Sequence, residues 1–318
     1  MDVVTVSAPF FALILIGYLA TRLGLLPMVA LPGLNTYVLY FALTAMLFQL
    51  GSQTPIAEVL NPWVMATWLS AALFCLALGI GPAVTRGVPW RDAAFGGLTV
   101  ASPNMGFMGI PLLLALLGAD SLGPLMPVMI IDILIVQSLV IALAQRGNVG
   151  GSPWAKVTKT ARQVLANPLV WAIIAGAAWG ASGWSLTSPI AETLALLADS
   201  ATPVALFTIG GVLAREQTTA KGASSRRMKI QIGWLTFLKL LALPAVVWLI
   251  GQAVSRVVPF EELAALVLIA ALPTAANTSI LAERFGGDNV VVASVILTTT
   301  AGGFVTFNVI AALVVGIG

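Results

Sequence analysis

The chain has 318 residues, 59% of them hydrophobic and only 8% charged, with a net charge of +3 and a mean hydropathy of +1.02. Such a composition excludes an ordinary soluble domain, whose surface needs far more charge. The absence of histidine excludes Ser–His hydrolysis and His-based metal sites.

Apolar runs of membrane-spanning length recur from end to end, where a transmembrane barrel would show roughly ten-residue alternating segments. Reading these runs against proline, glycine and charged breaks predicts an all-α polytopic membrane protein of ten transmembrane helices. The spans fall at about 5–22, 33–50, 63–84, 93–118, 122–144, 165–182, 190–213, 230–255, 262–285 and 289–312. The first lacks the basic leading region of a signal peptide, so it is expected to stay as a helix. The third holds Cys75, the lone cysteine, read as a small packing residue. The fourth carries "SPNMGFMGIPLL", with Pro103, Asn104, Gly106, Gly109 and Pro111 inside an apolar run. Asp132 lies in the fifth, and Gln137 follows about 140° further round a regular helix, hence on a different face. Lys239 lies in the eighth. The ninth reads "LPTAANTSILAERFGGD", with Pro273, Thr274, Asn277, Thr278 and Ser279.

Loop charges set an orientation. With the N-terminus outside, the cytoplasmic loops hold Arg22; Arg86 and Arg91; Arg146, Lys156, Lys159 and Arg162; Arg215, Lys221, Arg226, Arg227 and Lys229; and Arg284. Those are 13 of the 15 basic residues, a bias that places both termini outside. The same bias accounts for the basic pI without nucleic acid. Trp63, Trp90, Trp154, Trp184 and Trp234 lie near span ends, as an aromatic belt would.

The sizeable loops are about 146–164 and about 214–229. The first divides the chain into a five-helix repeat (1–146), a cytoplasmic linker (147–164) and a second five-helix repeat (165–318). Five is odd, so the halves enter the membrane with opposite polarity, the geometry of an inverted repeat. The fourth and ninth spans then correspond. Both end in Gly-x-Asp, with Asp120 and Asp288 placed to cap the next helix. A proline inside a helix removes a hydrogen bond, and in lipid the freed groups must face protein or a wet cavity. Two such breaks in matching spans point to a transporter binding site, with simple kinks at Pro103 and Pro273 as the alternative. Asn104 and Asn277 add amides that both donate and accept.

"PNMGFMGIPLL" resembles the first crossover motif of the auxin efflux carrier family, which includes plant auxin exporters and many bacterial carriers. The agreement is close over Pro103-Asn104 and over Met108 to Leu113. Asn167-Pro168 opens the sixth span as in the family, "LKLLALPAVV" resembles its eighth helix, and "ALPTAANTSILAERFG" resembles its second crossover. The resemblance implies ten helices, a scaffold part, and a transport part that carries crossed helices four and nine and moves in an elevator-like alternating access. It also implies that Asn104 and Asn167 contact a carboxylate substrate. Asn277 has no counterpart in the plant pattern, so auxin itself is not the expected substrate. Small bacterial members are associated with malonate or related dicarboxylates, and malonate ranks first here on that resemblance alone.

Charges inside predicted spans need a reason, since each costs about 2.5–3.5 kcal/mol at a helix centre on insertion scales. Asp132 either couples a proton or sodium ion to transport or makes a structural hydrogen bond. Lys239 either neutralises a substrate carboxylate, pairs with an acid such as Asp199, or snorkels to the cytoplasmic side. Glu283 and Arg284 read as interfacial.

The substrate-binding candidates are therefore Asn104, Asn167, Asn277, Thr274 and Lys239. Pro103, Gly106, Gly109, Pro111 and Pro273 are the helix breaks, and Asp132 is the ion-coupling candidate. The expected function is secondary transport of a small organic anion in a bacterial inner membrane, with a channel or sensor of the same fold as the alternative. No enzyme activity, cofactor, metal or nucleic-acid partner is expected; there is no P-loop and no paired-aspartate motif. Oligomeric state stays open, a homodimer included.

Overall fold

The computed structural model describes residues 3–53, 61–118, 122–145, 168–184, 186–221 and 225–317. Among them the secondary structure is helical throughout. In chain order the helices are α1 (Val3–Arg22), α2 (Met28–Gln53), α3 (Pro62–Thr85), α4 (Trp90–Ala101), α5 (Met105–Leu117) and α6 (Gly123–Ala144). Then follow α7 (Pro168–Ser182), α8 (Ser188–Ala220), α9 (Arg226–Ala253), α10 (Phe260–Ala271), α11 (Asn277–Arg284) and α12 (Asn289–Ile317). Seven of these are long and apolar enough to cross a membrane: α1, α2, α3, α6, α8, α9 and α12. The chain is an all-helical, polytopic membrane protein.

The helices form two groups, called bodies below, joined by extensive packing of α8 on α12. In the first, α1 lies along α8 and α2 along α7, and α8 also packs on α2. Glycine makes these approaches close: a Cβ at Gly17 would collide with the Phe207 backbone, and one at Gly210 with the Ile14 backbone. Gly176 and Gly180 likewise sit directly on the backbones of Phe48 and Ser52. Small residues at a membrane interface let dispersion act over whole helix faces, where no hydrophobic drive exists between lipid-solvated helices. The second body packs α3 on α4, α4 on α6, α9 on α10, and α12 on α9 and α10.

One difference from the sequence reading matters here. The segment at 214–229, read as a loop, is helical through Ala220, and Glu216 within it is buried. The predicted linker, the repeat boundary, Asn167, Asp120 and Trp154 lie outside the described residues. Asp288 does cap the next helix, its carboxylate accepting from the Val290 N–H at 2.9 Å. Trp63, Trp90, Trp184 and Trp234 are all exposed.

Candidate functional site

α4 stops at Ala101 and α10 at Ala271 for the same reason. Ser102 and Leu272 each precede a proline, and a following proline drives its neighbour out of the helical region. Both residues are extended, Ser102 at φ −106°, ψ 99° and Leu272 at φ −60°, ψ 150°. The two extended breaks then pair with each other as a short antiparallel bridge between Pro103 and Thr274. The Asn104 N–H donates to the Pro273 carbonyl at 2.9 Å, and the Ala275 N–H donates to the Ser102 carbonyl at 3.0 Å. The breaks predicted in separate halves therefore cross in space and satisfy part of each other's backbone.

Two of the freed carbonyls are met by side chains. In an unbroken helix position 103 would donate to the Thr99 carbonyl, but proline has no N–H. The Thr274 hydroxyl donates there instead, at 2.6 Å. The Thr274 N–H would have reached Ala270; it turns to the Thr299 hydroxyl at 3.2 Å. The Ala270 carbonyl is met by the Lys239 ammonium at 2.9 Å. Lys239 is fully buried and holds the negative end of α10. It does not snorkel, and Asp199, the acid proposed as its partner, is exposed on α8.

A cavity of about 500 Å³ opens between the two bodies, directly against the crossing. The first body contributes Asn35, Tyr40, Pro168, Ile209 and Val212. Pro103, Asn104 and Gly106 line it from one arm, and Ala276, Asn277 and Arg284 from the other. Asn104 is 4% exposed, whereas Asn277 is exposed. The beginnings of α5 and α11 thus reach the same space, and no side chain caps either one. The Met105 N–H is taken by the Pro103 carbonyl and the Thr278 N–H by the Ala275 carbonyl; the other first-turn N–H groups and the helix dipole make each end attractive to an anion. Gly109 and Pro111 lie just along α5 and are buried. Gly109 lets Leu272 approach, since a Cβ there would come within 2.8 Å of the leucine side chain. Thr274 and Lys239 are not in the cavity wall; both sit behind it, holding the crossing.

Asp132 also lines the cavity. Its Oδ2 accepts from the Ser102 hydroxyl at 2.8 Å and from Gln137 Nε2 at 2.9 Å. The Gln137 contact overturns the expectation that the two residues face apart. Asp132–Val136 forms a single π turn, in which the Gln137 N–H bonds to the carbonyl five residues back, so positions i and i+5 share a face. Oδ1 of Asp132 is buried and has no hydrogen-bond partner among the described residues. The sequence reading missed Gln137, Ser102, Asn35 and the cavity position of Arg284. The "D-x-x-x-x-Q" spacing would have found Gln137 only if the π turn had been foreseen.

The chain is similar in sequence to known proteins over most of its length. A family model described as "Membrane transport protein" matches residues 2–311. The chain is 30% identical over 297 residues to a protein of Rhizobium meliloti (strain 1021) named "Putative malonate transporter", covering 92% of this chain and 89% of that relative. It is 27% identical over 284 residues to "Uncharacterized transporter YfdV" of Escherichia coli (strain K12), covering 87% and 86%. Broken helices whose ends meet in a cavity, on a chain that matches a transport family from end to end, lead to one assignment: the chain belongs to the auxin efflux carrier family of membrane transport proteins.

Proposed function

We propose that the protein is a secondary active transporter of a small organic anion, malonate or a similar carboxylate, working by elevator-type alternating access. The observation that carries this reading is the meeting of two uncapped half-helix beginnings in one cavity. Two partial positive ends and the Arg284 guanidinium favour an anion, and the amides of Asn104 and Asn277 give it orientation. The family resemblance assigns Asn167, which precedes Pro168 in the sequence, to the substrate as well. Thr274 and Lys239 act on the substrate from behind, by fixing the arms. The 30% identical relative, whose name includes malonate, supports the carboxylate class.

In this reading the chain forms ten spans as a 5+5 inverted repeat, with both termini outside, in a bacterial inner membrane. α1, α2, α7 and α8 are the scaffold, and the second body carries substrate. Asp132 is the coupling group: a buried carboxylate with one oxygen lacking a donor takes up a proton or sodium ion at that oxygen.

The test is uptake by proteoliposomes across a panel of mono- and dicarboxylates, with proton and sodium gradients imposed separately. Saturable, counterflow-competent uptake of a carboxylate is expected; flux without saturation or counterflow would make the protein a channel. Asp132→Asn is expected to remove the response to whichever gradient drives the parent protein. An unchanged response would take the coupling role from Asp132.

A further inference from the structure

We propose that Glu216 on α8 and Ser279 on α11 form a latch that holds the second crossing arm against the scaffold body and so sets how often the cavity changes sides. Glu216 is only 1% exposed, which is rare for a carboxylate that is not paired. Its Oε1 accepts from Arg215 Nη2 at 2.6 Å and Nε at 3.0 Å, and its Oε2 accepts from the Ser279 hydroxyl at 3.0 Å. The arginine is the neighbouring residue on the same helix and is partly exposed, so it neutralises the charge without leaving the scaffold. The serine is fully buried and belongs to the other body.

The position of the pair gives it leverage. Ile209, Val212 and Glu216 follow each other at helical spacing along one face of α8, and the first two line the cavity. Ser279 lies in the first turn of α11, two residues beyond Asn277. Sliding the second body past the scaffold must separate Oε2 from the serine hydroxyl. A buried carboxylate oxygen would then lose its donor, and that loss is paid before any new contact forms. A second polar contact crosses the same seam far along the chain, where the Ser7 hydroxyl donates to Asn308 Oδ1 at 2.7 Å. It joins α1 to α12 and lies outside the cavity lining, so it is the natural control.

The latch rests on the alternating-access reading, and its test separates the two. Cys75, the lone cysteine and a buried one, is replaced by serine, and Ser138 in the cavity wall is replaced by cysteine as a reporter. A membrane-impermeant maleimide is applied to each face of reconstituted protein, and the ratio of the two labelling rates is measured with and without substrate. Ser279→Ala is expected to raise labelling from the face opposite Arg284, relative to the Arg284 face, on the order of tenfold, the scale of a hydrogen bond to a charged group. Glu216→Gln keeps an acceptor for the serine and is expected to shift the ratio less. Adding Glu216→Ala to Ser279→Ala is expected to give no more than Glu216→Ala alone. If substrate still shifts the ratio in the parent but Ser279→Ala leaves it unchanged, the latch is wrong and transport stands. If the parent labels from one face only, whatever the substrate, alternating access fails and takes the latch with it. A tenfold shift on Ser7→Ala as well would show that any seam contact does the same, and would also overturn the proposal.

Discussion

The two helix breaks share a backbone geometry and differ in what completes it. At the first, the carbonyl freed by Pro103 is met by a neutral hydroxyl, that of Thr274, which comes from the second break. At the second, the freed Ala270 carbonyl is met by the Lys239 ammonium, which comes from a separate helix. The arms differ as well. The first begins with a π turn, Met105–Gly109, and presents the buried Asn104; the second is eight residues long and presents an exposed Asn277. A proline break in lipid is thus not one device but two half-solutions, and the first depends on the second being in place. The first arm holds its amide buried at the cavity wall. The second is tied to its surroundings at Lys239 behind its break and at Glu216 beside it, whereas the first is tied to Asp132 through Ser102.

The largest effect should come from the ammonium. Lys239→Met leaves the Ala270 carbonyl without its donor. Losing one partner of a buried polar arrangement costs more than the pair contributes, so a loss of about 3 kcal/mol is expected. Thermal unfolding in detergent would read it as a clear fall in midpoint, together with loss of uptake. Wild-type stability in Lys239→Met would mean that the second break completes itself, and the contrast between the breaks would disappear.

Next comes recognition at the first arm. Asn104→Ala should lower uptake about ten- to a hundredfold while expression and monodispersity hold, the range for a hydrogen bond to a charged group. Full activity would remove Asn104 from the site. Below that stands Thr274→Val, which keeps the shape and removes the hydroxyl that serves Thr99. A neutral hydrogen bond left half-made costs about 1–2 kcal/mol, so its midpoint should fall by less than that of Lys239→Met. The reverse order would show that the first break, not the second, carries the heavier electrostatic load.

Much of this was legible in the residues. The apolar runs announced the helices, because lipid leaves the backbone few other options. Pro103 and Pro273, each with an asparagine close by, marked the breaks. Three things were hidden. The π turn at Asp132 changes the helical period locally, and no pattern read at 3.6 residues per turn could bring Gln137 to the carboxylate. Glu216 stands in "AREQTTAKG", whose charge density reads as a loop; its burial depends on Ser279, sixty-three residues away. Lys239 reads equally well as a ligand for substrate or as a snorkelling lysine. Only the Thr274 N–H turning towards Thr299 reveals the carbonyl that the ammonium serves.

The smallest expected effect tests the contrast most finely. Asn277 opens the second arm and lines the same cavity as Asn104, but its side chain is exposed. An exposed amide exchanges a ligand hydrogen bond for one with water, so its net contribution is near the low end for such bonds. Asn277→Ala should therefore lower uptake only about two- to fivefold, mainly through a higher KM, because the half-helix end beneath it remains. Asn277→Asp separates side chain from helix end. A carboxylate there would favour the positive end of α11 and compete with an anionic substrate for it, so it should inhibit more than alanine does. If alanine and aspartate are equally mild, the second arm does not meet the substrate at all, and the two breaks divide the work between binding and support rather than sharing it. If Asn277→Ala costs as much as Asn104→Ala, burial does not rank the arms, and the crossing binds its ligand symmetrically.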